Sequence, residues 1–395
     1  MKIRSLFRTL VTPPTTTPAP SATAPIEEIL TSLASTSSGA YQQELFKGLD
    51  ETAPMPSRMY GIEINDSCNI DCAMCLTSSS KRTKGLMDMA LFEEAVIAVK
   101  QSGMRATNLH TVGEPLANKK LPQYLEILKK HNLPINSLST NGLLLERNME
   151  TLFTYRDLIG RIRFSIDGAS KEVYEKIRLG GKWEALHHNL TQFMARNEQA
   201  ENPFRIEVSS VISVDNFHEI AFIPTLFSYV AKPTAFTFYW INSLSPQNDY
   251  FFQQSYFGSD YQLKVPCNML WNNMYVLKDG SLTACCRDYQ GDLVFSKIGA
   301  EPLAEVFNNP AIQSLRRTHL KGKKKKLPQS CQDCFGVDPR LSTLINALFV
   351  YYNGVLKRHP VHLQNLLNKI GPLLKNKEYQ AIWPLIPGLN QGGRK

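Results

Sequence analysis

Apolar positions in the middle of the chain follow two periods, which predict short strands separated by amphipathic helices. Strand-like runs fall at 60–65, 106–112, 135–140, 161–166, 205–213 and 235–241. Apolar residues at helical spacing predict helices at 88–102, 119–131, 146–157, 170–198 and 216–230. Strand and helix in regular alternation indicate parallel strands joined by right-handed crossovers.

The number of strand–helix units bears on whether the barrel closes. The usual closed barrel of this kind has eight units, and the six predicted here are too few. The sequence therefore predicts an α/β fold with a partial (β/α)6 TIM-type barrel over residues 59–261. An open barrel of this size leaves a side slot for a substrate.

The segments on either side of the barrel differ in composition. Residues 1–25 are predicted to be a disordered N-terminus and a linker rich in Pro, Thr and Ala, and 26–58 a lead-in helix. A small cysteine-rich α+β domain is expected at 262–336, with a hairpin turn at Asp279-Gly280. A helical tail is expected at 337–395.

Composition narrows the class of partner only slightly. A hydrophobic fraction of 43% allows a sizeable core, and the net charge of +9 favours anionic partners in general. The basic run Lys321–Lys326 is expected to be a solvated loop or a weak contact with a phosphate or lipid headgroup. Because aromatic residues do not interleave with these lysines, nucleic acid is not favoured. No stretch approaches the ~20 apolar residues of a membrane span.

Cysteine usage indicates a reducing compartment, so the chain is expected in the cytoplasm. The eight cysteines lie in two sets, 68/72/75 and 267/285/286/331/334. Their close spacing, without a secretion signal, is typical of metal binding rather than disulfides. The basic first eleven residues resemble an organellar transit peptide, and a disordered bacterial N-terminus is the other interpretation.

Cys68, Cys72 and Cys75 are the most informative residues. They form a C-x3-C-x2-C run directly after the first predicted strand. Three thiolates on one short loop can hold three irons of a 4Fe–4S cluster, and with no fourth cysteine nearby the fourth iron stays open. The alternatives are a zinc knuckle or buried thiols, although zinc usually takes four protein ligands.

Polar segments follow the next three strands. Gly113-Glu114-Pro115 comes after the second strand, Ser139-Thr140-Asn141-Gly142 after the third, and Ser165-Ile166-Asp167-Gly168 at the end of the fourth. Parallel α/β folds place ligands beyond the carboxyl ends of their strands, where these segments fall. With the cysteine run, the pattern over about residues 59–336 resembles the radical S-adenosylmethionine (SAM) superfamily.

The resemblance implies that these segments bind SAM. The first segment would hold its methionyl amino group, the second its ribose, and a recurrent arginine its carboxylate. Without the resemblance, turn-forming, capping or solvated roles would be the default for such side chains. The implied cofactor-binding residues are Gly113, Glu114, Pro115, Ser139, Thr140, Asn141, Ser165, Asp167 and Arg178.

The resemblance also implies the chemistry. SAM would bind the open iron, and an electron from the cluster would cleave it to a 5′-deoxyadenosyl radical that abstracts a hydrogen atom. A one-electron donor such as flavodoxin or ferredoxin would be the redox partner. His110, just before the Gly113 turn, either faces the active site or packs in the core.

The second cysteine set resembles the SPASM/twitch extension of these enzymes. That pattern has a cysteine, a gap, Gly-x4-Cys and then Cys-x2-Cys, which Gly280 and its neighbours reproduce. The implied ligands of one auxiliary 4Fe–4S cluster are Cys267, Cys285, Cys331 and Cys334. A structural zinc site is the alternative, since four cysteines suit both. No cysteine follows Cys334, so a second auxiliary cluster is not expected.

Cys286 is left over from both sets. As a buried thiol it would behave as a small hydrophobe. The functional alternative is that it donates a hydrogen atom to a substrate radical.

Three functions are compatible with these features. The favoured one is hydrogen abstraction from a small polar molecule (a sugar, an aminocyclitol or a carrier-linked glycan) with net oxidation and the auxiliary cluster as electron acceptor. A SPASM-type peptide maturase, or an epimerase using Cys286, is the alternative. A non-enzymatic metal-binding scaffold would leave the SAM-binding segments without a purpose.

Overall fold

A computed structural model describes residues 23–227, 234–243, 249–257, 262–263 and 266–389. The predicted disordered N-terminus lies almost entirely outside these residues. The first described helix starts at Ala24, inside the segment predicted to be a linker. Among the described residues, no helix is long and apolar enough to cross a membrane.

Parallel strands form the wall of the partial barrel. They are β1 (Arg58–Met59), β2 (Gly61–Ile62), β3 (Arg105–Ala106), β4 (Leu138–Thr140), β5 (Arg161–Ser165), β6 (Arg205–Ile212) and β7 (Thr234–Trp240). β1 pairs with β3, and β4 to β7 pair in sequence order. Bridges from Ile135 to Ala106 and to Ile159 join these two groups. The open barrel expected from six units is confirmed.

Helices connect these strands on the outside of the wall. They are Met89–Gln101, Leu121–Lys130, Leu145–Thr154, Lys171–Ile177 and Trp183–Gln199, followed by a 3-10 helix at Ile220–Phe227. Phe164 of β5 points toward this layer, where its ring lies 5.6 Å from that of Phe193. The apolar face of each helix thus buries the outer face of the sheet, which leaves the inner face for polar residues.

Two predicted helices differ from the structure. The segment 170–198 forms two helices because Gly180, at φ +85°, turns the chain between them. The segment 216–230 gives only the 3-10 helix, with Pro224 inside it, and residues 228–230 lie outside the described residues. The lead-in segment likewise forms two helices, Ala24–Ser35 and Ser38–Phe46.

The cysteine-rich segment continues the barrel sheet. Its strands are β8 (Gln262–Leu263), β9 (Tyr275–Val276), β10 (Ser281–Thr283), β11 (Val294–Lys297) and β12 (Phe335–Gly336). β9 pairs in parallel with β2, and β10 and β11 extend it antiparallel. The hairpin predicted at Asp279-Gly280 joins β9 and β10. The short helices of the cysteine-rich segment are Met269–Asn272, Leu303–Val306, Pro310–Leu320 and Gln329–Gln332, with a 3-10 turn at Lys324–Lys326.

The tail is helical, as predicted, and it covers the last barrel strand. Its elements are helices Pro339–Phe349 and Pro360–Lys375, with a π-helical turn at Val350–Val355 and a 3-10 helix at Tyr379–Leu385. The Asn346 side chain donates to the carbonyl of Phe238 at 2.9 Å and accepts from its N–H at 2.8 Å. A side-chain amide thus occupies the free edge of β7, which would otherwise present unpaired backbone groups.

Candidate active site

The three-cysteine loop lies at the carboxyl end of the first barrel strand. Its backbone is held against the end of helix Lys171–Ile177, because Asp71 N–H donates to the carbonyl of Leu179 and Ala73 N–H to that of Ile177, both at 2.9 Å. This contact fixes the loop over the mouth of the barrel. It joins two segments that are a hundred residues apart in sequence.

Each sulfur of this loop has a polar neighbour. Asn141 Nδ2 lies 3.8 Å from Cys68 Sγ, Arg178 Nη1 lies 3.5 Å from Cys72 Sγ, and the N–H of Thr77 lies 3.4 Å from Cys75 Sγ. Hydrogen bonds to cluster sulfurs adjust the reduction potential of iron–sulfur centres. The contact of Thr77 with Cys75 was not predicted from the sequence.

The three thiols are crowded together, with Cys72 buried, Cys75 half-buried and Cys68 exposed. Desolvation of its sulfur raises the pKa of Cys68 to about 11, and the nearby Glu114, Cys72 and Cys75 add to the shift. Burial likewise raises the pKa of Cys72. Such thiols become thiolates when a metal replaces the proton. The donor set therefore fits an iron–sulfur cluster held by three cysteines.

Glu114 ties the second polar segment to the third. The carboxylate accepts from Asn141 N–H at 2.7 Å and from Leu116 N–H at 3.0 Å, and the side chain is buried. Its own N–H donates to the carbonyl of Ser67, next to the first cysteine. Burial raises the pKa of the Glu114 carboxyl to about 6, although the hydrogen bonds that it accepts act to lower it. A carboxylate has room for further donors, so an ammonium group can still bind.

Gly113 makes this close approach possible. Its φ of +82° is unfavourable for other residues, and a Cβ there would lie 2.8 Å from the carbonyl oxygen of Ser67. Pro115 begins a short 3-10 turn that ends at Ala117. The Gly-Glu-Pro order thus has a local structural reason in addition to any contact with a cofactor.

Arg178 lies between the fourth strand and the cysteine loop. Its guanidinium forms a buried ion pair with Asp167 at 2.6 Å, besides its contact with Cys72. Asp167 Oδ1 in turn accepts from Val211 N–H at 2.7 Å. The structure therefore places Arg178 beside the cysteine loop. Ser165 ends β5 on the inner face of the sheet.

Four of the later cysteines come together although they span sixty-eight positions. Burial raises the pKa of Cys331 to about 12, with the neighbouring Cys267 and Cys334 contributing. Cys285 is half-buried next to Cys286, Cys267 and Cys334, and desolvation of its sulfur also raises its pKa. Arg287 N–H donates to Cys285 Sγ at 3.4 Å. This grouping fits the predicted auxiliary cluster.

No three His, Cys, Asp or Glu side chains in the described ranges converge on one point as the ligands of a single metal ion would. A 4Fe–4S cluster does not need that convergence, because each cysteine binds a different iron.

Cys286 lies between the auxiliary set and the barrel interior. Cys286 is half-buried. It faces Tyr275 of strand β9, and the pKa of Tyr275 is raised by its own burial and by the nearby Cys286. Tyr275 also accepts from Asn273 Nδ2 at 3.1 Å. The leftover cysteine is therefore neither fully buried nor remote from the interior.

A cluster of buried charged residues, which was not predicted from the sequence, joins the loop of the first cysteine set to the auxiliary domain. Glu63 is fully buried and pairs with Arg82, while Lys278 N–H donates to it at 3.2 Å. Lys278 Nζ lies 3.8 Å from a carboxylate oxygen of Asp66. Because Arg82 belongs to the first loop and Lys278 to the auxiliary domain, this cluster fixes one against the other.

The inner face of the barrel carries a polar wall that sequence reasoning also missed, apart from His110 and Ser139. Asn108 Nδ2 donates to Ser139 Oγ at 2.8 Å, and Asn108 Oδ1 lies 2.8 Å from His110 Nδ1. Beside them, Arg163 and Glu207 form an ion pair at 2.8 Å. The alternation of Arg161, Arg163 and Ser165 with apolar residues was the available signal.

Comparison with known protein families agrees with this arrangement. Residues 62–196 match the model described as the radical SAM superfamily. Residues 267–335 match a model described as an iron–sulfur cluster-binding domain, named SPASM. Each model contains one of the two cysteine sets.

Two curated relatives match part of the chain. A probable GTP 3′,8-cyclase of Methanococcus maripaludis is 30% identical over 131 residues, 33% of this chain and 43% of that protein. Mycofactocin maturase MftC of Mycobacterium tuberculosis is 25% identical over 166 residues, 42% of this chain and 40% of that protein. The match thus spans less than half the length of either relative.

The similarity of fold extends further. A solved structure of anSMEcpe with bound AdoMet superposes with a TM-score of 0.52 at 19% identity, covering 82% of this chain and 99% of that one. At this level of identity the likeness shows the fold.

Proposed function

We propose that this chain, which matches the models of the radical SAM superfamily and of the SPASM iron–sulfur domain, removes a hydrogen atom from a small polar substrate. The substrate would be a sugar, an aminocyclitol or a carrier-linked glycan, and the net reaction an oxidation. The observation that carries this proposal is the polar wall inside the barrel, formed by Asn108, His110, Ser139, Arg163 and Glu207.

The two domains imply SAM, a 4Fe–4S cluster that binds it, and an auxiliary iron–sulfur cluster. The first cluster would be held by Cys68, Cys72 and Cys75, and the second by Cys267, Cys285, Cys331 and Cys334. When bound, SAM and its cluster supply the one-electron chemistry that removes the hydrogen atom.

The chain's own residues position the reactants. Glu114 accepts from Asn141 N–H and retains acceptor capacity for the SAM ammonium group. Arg178 holds Cys72 and Asp167 together at the mouth of the barrel. Asn108, which donates to Ser139, and its partner His110 offer neutral hydrogen-bonding groups to substrate hydroxyls. The helices and the tail exclude water from the other side of the sheet.

Net oxidation is favoured because the barrel sequence has no thiol between Cys75 and Cys267 to return a hydrogen atom. The auxiliary cluster offers a one-electron acceptor instead. Cys286 is the exception, since it is half-buried beside Cys285. A flavodoxin or ferredoxin would supply the electrons, in a reducing compartment such as the cytoplasm.

Mass spectrometry of reaction products tests the proposal. Reconstituted protein, SAM and a reductant are incubated with sugars, aminocyclitols and nucleotide-linked sugars. We expect a product two hydrogens lighter than its substrate, formed also by Cys286→Ala. A product of unchanged mass that carries solvent deuterium, and that Cys286→Ala no longer forms, would instead identify an epimerase.

The second candidate is a peptide maturase, which the similarity to mycofactocin maturase MftC favours. It predicts no turnover of any sugar and modification of a peptide in the same assay.

A further inference from the structure

One cation on the inner face of the barrel has no counter-charge of its own. Along β5, Ile162 and Phe164 are fully buried in the outer layer, whereas Arg161, Arg163 and Ser165 are only partly buried on the other face. In a strand, alternate residues share a face, so these three point into the barrel. The Arg163 side chain retains 33% exposure there.

Two guanidinium groups share a single carboxylate. Arg161 Nη1 lies 2.8 Å from one oxygen of Glu207, and Arg163 Nη2 lies 2.8 Å from the other. Throughout the described part of the chain, neither arginine forms an ion pair with a second acid. Arg161 also reaches Asn136 at 3.3 Å. The group therefore keeps a net charge of about +1 in a confined space, where an isolated charge is costly.

Arg163 also has an unused donor. Its Nε is buried and has no hydrogen-bond partner. A buried donor without a partner is destabilising in a folded protein and calls for an explanation. Arg178 also has a buried Nε without a hydrogen-bond partner, but Asp167 matches its charge, and Arg287 lies beside Cys334, Cys286 and Cys285. Arg163 shares Glu207 with Arg161, so among these described arginines it has charge left for a molecule in the barrel.

The groups around Arg163 suit the rest of such a molecule. Burial and the nearby Arg163 lower the pKa of His110 to about 4, so this ring is neutral. Its partner Asn108 is bonded to Ser139. Tyr239 is 47% exposed on the last strand and close to Arg163 and Glu207. These groups can donate to or accept from hydroxyls, and they carry no charge.

We propose that the substrate bears an anionic group, a phosphate or a carboxylate, that Arg163 binds inside the barrel. The neutral part of the substrate then lies along Asn108, His110 and Tyr239, toward the SAM-binding edge. This inference rests on the proposed function, because it takes the polar wall as the substrate site. It narrows the substrate class to anionic or anion-linked polar molecules.

Calorimetric titration of the reconstituted, SAM-loaded holoenzyme tests this. The probes are inorganic pyrophosphate, malonate and the neutral myo-inositol. We expect one anion site, and Arg163→Met should weaken it about 10- to 100-fold, the effect of losing a charge-assisted contact. The stronger of the two anions identifies phosphate or carboxylate as the natural group.

Two further variants separate binding from folding. Glu207→Gln removes the competing carboxylate, so it should tighten anion binding, whereas a purely structural ion pair would make this variant weaker. Arg196→Met is the charge-matched control, because Arg196 pairs with Glu150 on the outer surface. It should bind the anion as the wild type does.

Three results would overturn the inference: equal affinity in the wild type and Arg163→Met, weaker binding in Glu207→Gln, or myo-inositol bound as tightly as the anions. SAM cleavage by the wild-type protein is measured in parallel. If cleavage occurs without anion binding, only the anion site is wrong, whereas absence of cleavage in fully reconstituted protein would remove the proposed function itself.

Discussion

Glu114 is a buried carboxylate, whereas a loop carboxylate would ordinarily be solvated. Burial raises the pKa of this carboxyl to about 6 from an ordinary value of 4.5. The folded protein without SAM therefore holds the proton more tightly than the unfolded chain. Its stability should fall as the pH rises from about 4.5 to about 6, by on the order of 2 kcal/mol.

We predict that SAM binding has the opposite dependence on pH. An ionised Glu114 is the partner that an ammonium group needs, so affinity should increase as the pH rises through about 6. Glu114→Gln should bind SAM about 10- to 100-fold more weakly near neutral pH and lose this step. Equilibrium binding of SAM to reconstituted protein across this range provides the measurement.

Glu198→Gln is the control for that experiment, because Glu198 is exposed on the outer helix Trp183–Gln199. It should leave both the affinity and its pH dependence unchanged. A Glu114→Gln variant with wild-type affinity would show that this carboxylate only shapes the turn at Asn141.

At this scale, sequence reasoning recovered residues that belong to a contiguous motif and missed those defined by long-range pairing. The cysteine run and Gly113 to Pro115 were identifiable because their neighbours in sequence are their neighbours in space. Arg163 and Glu207 are forty-four positions apart, and charged residues in alternation ordinarily face solvent. Arg163 and Glu207 face the barrel interior because the sheet curves into an open barrel.

Among the elements, the helix Lys171–Ile177 has the strongest influence on the site. It carries Arg178 at its end and holds the cysteine loop through the carbonyl of Ile177. Gly168 allows it to approach the sheet, since a Cβ there would lie 2.6 Å from the backbone nitrogen of Tyr174. The position of this one helix therefore sets the geometry of both Arg178 and Cys72.

We predict that Gly168→Ala destabilises the protein by about 2 kcal/mol or more, as overpacking against backbone usually does. It should also lower iron incorporation at the first cysteine set, because the loop follows the helix. Gly39→Ala is the matched control, since nothing lies within 4 Å of a Cβ at that helical position. It should be neutral or stabilising by about 0.5–1 kcal/mol. Denaturant unfolding compares the two, and an unchanged midpoint in Gly168→Ala would contradict this account.

Helices and strands were predicted correctly where apolar periodicity is strong, whereas the residues at which they begin and end were predicted less accurately. The strand 205–213 was recovered almost residue for residue, because every second position is buried against helices. The strand 106–112 shortened to Arg105–Ala106, since beyond it the chain forms irregular turns that carry His110 and Glu114. Local pattern does not report where a strand gives way to a functional loop.

At the scale of the whole molecule, the barrel and the cysteine-rich domain are joined by a shared sheet, in which the barrel strand β2 lies beside β9, β10 and β11. The parallel pairing of β2 with β9, Gly61 to Tyr275 and Ile62 to Val276, joins them. This pairing could not be foreseen, because it links strands more than two hundred residues apart. With the Glu63, Arg82 and Lys278 cluster, it holds both cysteine sets in a fixed relation to the barrel interior.

We predict that anaerobically reconstituted protein binds about eight irons, four for each cluster. Replacing Cys68, Cys72 and Cys75 together by Ala should leave about four. Iron and sulfide analysis with electron paramagnetic resonance distinguishes the two clusters. Zinc in place of iron at Cys267, Cys285, Cys331 and Cys334 would contradict the auxiliary cluster.

The central claim is that the open cluster on the first cysteine set supports SAM cleavage and that the second set has a different role. The most direct measurement is the formation of 5′-deoxyadenosine and methionine by reduced protein, for the wild type, Cys72→Ala and Cys331→Ala. We predict slow cleavage by the wild type even without substrate, none by Cys72→Ala, and retained cleavage by Cys331→Ala. Equal cleavage by Cys72→Ala and the wild type, or none by a wild type that carries all its iron, would contradict the account.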